Sequence, residues 1–227
     1  MVNAGVVAQQ KVCVVPNGVD PEQWSGVAPV SRLELGVPES GVMVLVAGLL
    51  NSAKGQDIAI EALAQARSQE LYLVLAGHGE DLEALQALAE RLGVQKRVRF
   101  LGWRDDVPAL VASSDIVLLP SRWEGMPYVV LEAMAAARPV VATRVDGATD
   151  LVVPGQTGER VDVMDVARMA QSLDRMAELS KGQRVELGQA GEARIRSAYS
   201  IEHMVASTRE VFRSATGNES SKQEITA

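Results

Sequence analysis

Two glutamates separated by seven residues mark the apolar stretch PSRWEGMPYVVLEAM at residues 120–134. Glu124 precedes Pro127, and Glu132 lies inside the apolar run that follows. Pro127 suits the start of a helix because its missing N–H loses no hydrogen bond there. Two interpretations follow from the residues alone. The carboxylates either stabilise the positive end of a helix dipole or accept hydrogen bonds from ligand hydroxyls on either side of it.

The elements that would position this stretch are predicted by apolar runs that alternate with helical patterns. Fully apolar runs, typical of strands covered on both faces, predict strands at 42–48, 71–77, 98–102, 116–120 and 139–143. Apolar residues three and four apart predict helices at 55–67, 80–93, 106–114 and 127–137. Strands that alternate with helices predict right-handed crossovers and a parallel sheet. We therefore predict an α/β fold with a doubly wound, mostly parallel, Rossmann-like sheet.

The end of the chain has a different pattern, in which no strand is predicted after residue 160. Helices are predicted at 163–179, 182–199 and 201–215, and the polar tail at 217–227 is predicted to be disordered. The sheet is thus expected to be followed by C-terminal helices.

Loops at the carboxyl ends of the predicted strands are the expected ligand site, because ligands of open α/β sheets bind there. Each of these loops contains at least one glycine. The loops span 48–55, 77–81, 102–106, 120–127 and 144–150. Glycine lets backbone N–H groups approach a ligand, and helix N-termini offer free donors that suit phosphate. For any one loop, a glycine that only ends a strand is the competing interpretation.

Bulk composition restricts the class of protein. A net charge of −7 and a pI near 5.0 argue against a nucleic-acid partner, which needs clustered Lys and Arg. Cys13 is the single cysteine, and the two histidines, His78 and His203, are far apart, so we predict neither a disulfide nor a metal site. The longest apolar run, at 42–50, is too short for a transmembrane segment, and no signal peptide is predicted. We predict a cytoplasmic protein.

The segment PSRWEGMPYVVLEAMAAARPVVAT, at 120–143, resembles the signature of retaining glycosyltransferases of family 4. Further motifs follow in that family's order: VVPNGVD at 14–20, AKGQDIAIEA at 53–62, LVLAGHGEDLEAL at 73–85, VRFLGWRDDVPALVASSDIVLLP at 98–120 and VPGQTGERV at 153–161. The resemblance covers roughly residues 11–215. It implies the nucleotide-sugar-binding domain of an enzyme built from two facing Rossmann-like domains.

The resemblance also implies roles for particular residues. Glu124 would contact the hydroxyls of the donor sugar, Glu132 would bind the ribose, and Lys54 would pair with the diphosphate as it leaves. Glu124 and Lys54 are thus the expected catalytic residues. The donor would be a nucleotide diphosphate sugar, transferred with retention and without metal or cofactor. The expected donor-binding residues are Gly48, Lys54, Gly79, Trp103, Arg104, Glu124, Gly125, Met126, Pro127, Tyr128, Val129 and Glu132.

Some positions depart from the family pattern or have a competing interpretation. Leu49 stands where the family usually has an arginine, and losing that contact costs about 1.5–3 kcal/mol unless Arg104 or Arg122 replaces it. Asp150 could cap a short helix or contact the ligand. Residues for which surface or packing roles compete are His78, His203, Trp103 and Asp146.

The predicted domain organisation is a linker and first strand at 1–20, the nucleotide-sugar domain at 21–199, a helix at 200–216 and the tail at 217–227. The resemblance implies that the helix packs on an N-terminal acceptor-binding domain, or a partner chain, that this sequence lacks. As part of a full enzyme, the chain is expected in the cytoplasm or peripherally at the inner face of the membrane. A non-catalytic binding or interaction module, or one subunit of a two-chain transferase, is the alternative.

Overall fold

Six parallel strands form one sheet in the computed structural model, which describes residues 12–216. The strand order is β3-β2-β1-β4-β5-β6, and every neighbouring pair is parallel. The strands are β1 (Val42–Ala47), β2 (Leu71–Ala76), β3 (Val98–Gly102), β4 (Ile116–Leu119), β5 (Val140–Thr143) and β6 (Gly158–Val161). Strand order reverses between β1 and β4, so the loops after these two strands meet at the topological switch point.

Helices cover both faces of the sheet. They are α1 (Gln56–Gln65), α2 (Leu82–Arg91), α3 (Val107–Ser113), α4 (Tyr128–Ala135), α5 (Ala148–Leu151), α6 (Val166–Glu178), α7 (Lys181–Ala198) and α8 (Ile201–Thr216). None of the helices in residues 12–216 has the length and apolar character needed to cross a membrane.

The core consists of two apolar layers, one on each face of the sheet. Along β1, Val42, Val44 and Val46 pack into the layer with α1, α2 and α6, and Met43 and Leu45 pack into the layer with α3, α4 and α7. This alternation follows from the period of two in a strand. In β1, β2, β4 and β5 both faces are buried and the sequences are apolar, which is the pattern that predicted these strands.

The fold class predicted from the sequence is confirmed, and the sheet is wholly parallel in the described residues. The sequence analysis missed a sixth strand, because its last predicted strand is 139–143, whereas β6 runs from Gly158 to Val161 and pairs with β5. Glu159 and Arg160 are only half-buried at this sheet edge, so the strand lacks the apolar run on which the prediction depended. Edge strands tolerate such charged residues because one side stays open to solvent.

The helix-start predictions also need correction. Pro127 precedes α4 as its N-cap residue, so the helix begins one residue later than predicted. Gly147 is the residue before α5, and Asp150 lies inside that short helix, where it cannot act as its cap.

Residues 12–20 contain no strand of the sheet, and the rest of the segment at 1–20, where a linker and first strand are predicted, lies outside the described residues. Val19 forms a single parallel bridge with Ser200: its N–H donates to the Tyr199 carbonyl at 3.0 Å, and its carbonyl accepts from Ile201 at 3.1 Å. This segment therefore packs on the junction of α7 and α8. The predicted disordered tail at 217–227 also lies outside the described residues.

Candidate functional site

An ion pair joins the loops that follow β1 and β4. Lys54 Nζ lies 2.7 Å from Glu124 Oε1, and the Ser121 hydroxyl donates to the same oxygen at 2.9 Å. Glu124 is 12% exposed and Lys54 is 34% exposed, so the pair is partly shielded but reachable. In residues 12–216, Glu124 Oε2 accepts no hydrogen bond, which leaves it available to a ligand hydroxyl.

Lys54 is held in place by a short 3-10 helix, Ser52–Lys54. The Asn51 side chain caps this turn by accepting the Lys54 N–H at 3.2 Å. Gly55 ends the turn with φ +68°, and a Cβ atom there would run into the carbonyl oxygen of Pro120. Glycine is thus required both by the left-handed backbone and by the close approach of the two loops.

Arg122 and Asp57 fasten the same two loops together. The Arg122 guanidinium donates to both Asp57 oxygens, at 2.9 and 2.6 Å, and to the Ser52 carbonyl at 2.6 Å. The Arg122 backbone N–H also donates to the Ala53 carbonyl at 2.8 Å. Burial pushes the pKa of Asp57 upward, but the hydrogen bonds and charge of Arg122 outweigh it and hold that pKa below its usual value. The loop that carries Lys54 is therefore tied to the loop that carries Glu124.

Free backbone donors lie next to this ion pair, at the start of α4. Val130 donates to the Pro127 carbonyl at 3.2 Å. At the start of α4, four N–H groups form no hydrogen bond within the described residues, those of Gly125, Met126, Tyr128 and Val129. Unpaired N–H groups at a helix N-terminus are a favourable site for phosphate or for sugar oxygens.

Neither glutamate caps α4 through a hydrogen bond. No side chain caps this helix, and the bonded oxygen of Glu124 is taken by Lys54 and Ser121. Glu132 lies on the second turn, half-buried, and its carboxylate has no hydrogen bond within residues 12–216. Burial raises its pKa. A half-buried carboxylate without a partner is unfavourable by itself, and ligand hydroxyls would relieve it.

Neighbouring segments support the turn before α4 from behind. Asn17 donates from its backbone to the Met126 sulfur at 3.1 Å and from its side chain to the Met126 carbonyl at 3.4 Å. Gly147, with φ +68°, lies so close to the Gly125 carbonyl that a Cβ atom would collide with it. The Thr143 hydroxyl donates to the Ser121 carbonyl at 2.6 Å.

A cavity of about 260 Å³ lies at the carboxyl ends of β1, β2 and β3. The ring of His78 meets the ring of Trp103 edge-on, with centroids 5.3 Å apart, and Trp103 Nε1 donates to Asp105 at 2.8 Å. Trp103 is 67% exposed, so its ring is open to a stacking partner. The cavity adjoins the ion pair, because Lys54 Cε lies 4.0 Å from where a Cβ atom would sit on Gly48. Its lining is Ala47, Gly48, Leu49, Ala76, Gly77, His78, Trp103, Arg104 and Val107.

Arg104 and Arg122, which could replace the arginine that the family usually has at the position of Leu49, are both paired with carboxylates. Arg104 forms a fork to Asp106 at 2.7 and 2.6 Å, and Arg122 is bound to Asp57. Leu49 itself is 49% exposed at the cavity wall.

Two other predicted residues have different surroundings. Gly79 is explained by packing, because a Cβ atom on it would meet the Leu50 carbonyl; its contact with a donor stays a prediction. His203 is exposed on α8 and does not line the cavity beside Trp103. No group of three or more His, Cys, Asp or Glu side chains within residues 12–216 could hold a metal ion.

Sequence patterns gave no direct signal for the residues that support the site. The partner of Asn17 is 109 residues away and the partner of Asp57 is 65 residues away. Asn17 and Ser121 stand inside motifs that were recognised, but their contacts depend on how the strands are ordered. The supporting residues missed from the sequence are Asn17, Asp57, Ser121, Thr143 and Gly147.

A doubly wound parallel sheet with a cation, a carboxylate and free helix N–H groups at its switch point defines a domain of the nucleotide-binding α/β class. The family model for Glycosyl transferases group 1 matches residues 29–194. The chain belongs to this family of glycosyltransferases.

Known relatives agree with this family. The chain is 34% identical over 183 residues to the lipopolysaccharide core biosynthesis glycosyltransferase LpsE of Rhizobium meliloti, covering 76% of this chain and 53% of that protein. It is 34% identical over 191 residues to a D-inositol 3-phosphate glycosyltransferase of Corynebacterium jeikeium, covering 78% of this chain and 45% of that protein. The chain therefore spans about half the length of these curated relatives.

Among solved structures, HepE of Anabaena in complex with UDP superposes with a TM-score of 0.83 at 27% identity, covering 95% of this chain and 60% of HepE. HepE in complex with UDP-glucose superposes with a TM-score of 0.81 at 28% identity and the same coverage. The fold is thus shared with glycosyltransferase structures.

Proposed function

We propose that this chain is the donor-binding half of a retaining glycosyltransferase that uses a nucleotide diphosphate sugar. The observation that carries the proposal is the Lys54–Glu124 ion pair, 2.7 Å long, beside unpaired N–H groups at the start of α4. A cation and backbone donors suit the diphosphate, and a carboxylate suits sugar hydroxyls. The complexes of HepE with UDP and UDP-glucose support a uridine nucleotide as the first candidate.

The geometry supports a division of roles in this site. The Lys54 ammonium has three donors, so it can keep its bond to Glu124 and offer the other two to the diphosphate. Glu124 Oε2 accepts a hydroxyl of the sugar, and Glu132 accepts the ribose hydroxyls. The nucleoside base lies in the cavity beside Trp103.

Catalysis in this proposal is electrostatic. The bond between the anomeric carbon and the diphosphate oxygen breaks, and the diphosphate leaves with the electron pair. Lys54 and the N–H groups of α4 stabilise the charge that develops on the leaving oxygen. The acceptor hydroxyl, bound by an N-terminal domain or a partner chain, forms the new bond on the same face and gives its proton to the departing diphosphate oxygen.

Titration calorimetry of the purified chain with UDP, GDP and ADP tests this function. One nucleotide should bind, and Lys54→Ala and Glu132→Ala should each weaken it by about tenfold, as expected for loss of one charge-assisted hydrogen bond. Lys96→Ala is the matched control, because Lys96 is exposed and lines neither the cavity nor the ion pair. Equal affinity in all four proteins would refute the donor site, and so would the absence of binding at millimolar concentration.

A non-catalytic binding module is the second candidate, and Leu49 is the observation that favours it. With Arg104 and Arg122 both bound to carboxylates, Lys54 is the cation left to meet the diphosphate among the residues described around this site. A domain that binds a nucleotide without activating its departure would need no second cation.

Leu49→Arg tests whether the diphosphate lies beside this position. If the site keeps a donor function, the added guanidinium should raise UDP affinity about tenfold or more, because Arg forms strong bonds to phosphate. Calorimetry gives the change directly, with Leu92→Arg, an exposed leucine on another surface, as the charge-matched control. Unchanged affinity in Leu49→Arg would mean that the diphosphate does not pass this position, which would contradict the place that the proposal gives it.

A further inference from the structure

A second cavity, of about 540 Å³, lies at the opposite end of the strands from the Lys54–Glu124 pair. Asp115, just before β4, and Pro139, just before β5, form its floor. Its walls come from the end of α3, the turn after α4, the start of α7 and the segment at 29–39. The donor site cannot account for this cavity, because it lies at the amino ends of the strands.

The charge of this cavity is opposite to that of the whole chain. Four cations line it, Arg32, Arg138, Lys181 and Arg184, against two anions, Glu39 and Asp115. The difference of four and two leaves a formal charge of +2, whereas the chain carries −7. A local cationic site of this kind in an acidic protein attracts small anions.

Two of the cations have structural partners. Arg32 donates to Asp115 at 2.7 Å, to the Ser113 carbonyl at 2.9 Å and to the Gly41 carbonyl at 3.3 Å. Arg184 Nη1 donates to the Leu179 carbonyl at 2.6 Å, and its Nη2 lies 3.8 Å from Asp115. The single charge of Asp115 is thus shared by both guanidinium groups.

Arg138 and Lys181 are left without such partners. Arg138 Nε is buried and unpaired, and no hydrogen bond of its side chain is formed within residues 12–216. Burial lowers the pKa of Arg138; Asp115 acts in the opposite direction, and the charge of Arg32 adds to the lowering. Lys181 is exposed at the rim and has no ion pair in the described part of the chain. A partly buried cation without a counter-charge is unfavourable unless an anion binds to it.

We propose that this cavity binds the phosphate monoester group of a small molecule, with Arg138 and Lys181 as the binding cations. A phosphate dianion matches the formal charge of +2. Guanidinium groups bind phosphate oxygens through paired N–H donors, and a lysine adds a mobile charge. The volume of about 540 Å³ is that of a small-ligand site, so it holds the rest of the molecule beside its phosphate.

Amide chemical shifts in a ¹⁵N-labelled chain show which residues phosphate binds and so test the proposed site. Inorganic phosphate is the probe, raised to about 10 mM at constant ionic strength, which would saturate a site with a millimolar Kd. The amides of Ser113, Asp115, Ala137, Arg138 and Lys181 should shift together along one binding curve. Shifts confined to Gly125–Val129 would show phosphate in the donor site alone and would overturn the inference without touching the proposed function. No shift at the cavity would overturn it too.

Variants separate a binding role from a structural one. Arg138→Met and Lys181→Met should each weaken phosphate binding at the cavity by about tenfold. Arg209→Met is the control, because it removes the same charge from an exposed position on α8. Binding that is unchanged in both cavity variants would contradict the proposal. Without phosphate, the melting temperature of Arg138→Met should equal or exceed that of the wild type, and a lower value would assign Arg138 a structural role.

A phosphate monoester can come from a free metabolite or from a lipid headgroup, and a vesicle assay distinguishes them. Vesicles that contain phosphatidic acid should leave the chain in the supernatant after sedimentation, because a net charge of −7 opposes an anionic surface. Co-sedimentation that Arg138→Met abolishes would assign the same phosphate site to a lipid. Co-sedimentation that Arg138→Met leaves intact, together with no shift by free phosphate, would overturn the proposal.

Discussion

Glu132 is a carboxylate that the fold keeps half-buried on the second turn of α4, with no hydrogen bond among the described residues. Its raised pKa means that the folded chain prefers the protonated form more than the unfolded chain does. The charged form therefore lowers stability at neutral pH. Such an arrangement is typical of a functional group whose partner arrives with the ligand.

Glu132→Gln should therefore raise the melting temperature at pH 7 while it weakens nucleotide binding by about tenfold. The stability difference should disappear as pH falls through the raised pKa of Glu132, because the wild-type side chain is then neutral as well. Thermal unfolding between pH 7 and pH 4 measures both effects, with the exposed Glu90→Gln as control. A variant that is less stable at every pH would show that the carboxylate is structural.

At the same scale, the sequence predicted Glu124, Glu132 and Lys54 through a resemblance to a family, and the structure pairs two of them. It could not predict that Ser121 would share Glu124 with Lys54, because a serine has many possible partners in any sequence. Nor could it predict that Arg122 would already be bound, since Asp57 is 65 residues away and is recognised only once the two loops are in contact. Arg104 differs, because its partner Asp106 is two residues along the same loop.

Elements position the site through close contacts between the loops after β1 and β4. Gly55 is the clearest case, because its left-handed backbone and the nearby Pro120 carbonyl both exclude a side chain. Gly93 has a similar backbone, with φ +72°, but no atom within 4 Å of where a Cβ would lie. Substitutions at the two glycines therefore distinguish the cost of a left-handed backbone, present at both, from the cost of a steric clash, present only at Gly55.

Gly93→Ala should lower the free energy of unfolding by about 1 kcal/mol, the cost of a left-handed alanine. Gly55→Ala should lower it by about 2–4 kcal/mol, because the loop must also move away from β4. It should weaken nucleotide binding as well, since Lys54 moves with that loop. Chemical denaturation and calorimetry on both variants give the comparison, and equal losses of stability would mean that the contact with Pro120 is relaxed easily.

Among the elements, four of the five predicted strands are buried along almost their whole length and so are continuously apolar. The fifth, β3, lies at a sheet edge and carries Arg99, but its other residues still form an apolar run. The sixth strand was not predictable, because β6 lies at the other sheet edge and carries both Glu159 and Arg160. The isolated β-bridge between Val19 and Ser200 could not be predicted either, because it joins residues that are far apart in the sequence.

At the scale of the whole molecule, the two proposed sites lie at opposite ends of the strands of one sheet. The donor site lies at the carboxyl ends of the strands, and the cationic cavity lies at the amino ends. On α8, Phe212 is 66% exposed and Val205 is 38% exposed, whereas Met204 is half-buried and accepts the Gly18 N–H at 3.3 Å. The chain spans about half the length of its curated relatives, and the proposed function assigns acceptor binding to another domain or chain.

The isolated chain should accordingly bind its nucleotide and transfer no sugar. Radiolabelled UDP-glucose incubated with the chain and candidate acceptors should yield no transferred label, although the same preparation binds UDP in calorimetry. Robust transfer by the pure chain to any acceptor would contradict this, because it would show that both halves of a catalytic cleft are present. Lys54→Ala serves as the control for trace contaminating enzymes.

The contact between Lys54 and Glu124 has a consequence for how the site responds to salt. Lys54 already has a fixed counter-ion supplied by the protein, so it has little need to attract mobile ions from solution. An arriving diphosphate then displaces fewer such ions than it would from a bare lysine. The protein itself supplies the counter-charge of Lys54, so we expect the affinity for the nucleotide to depend on local geometry more than on the ionic strength of the solution.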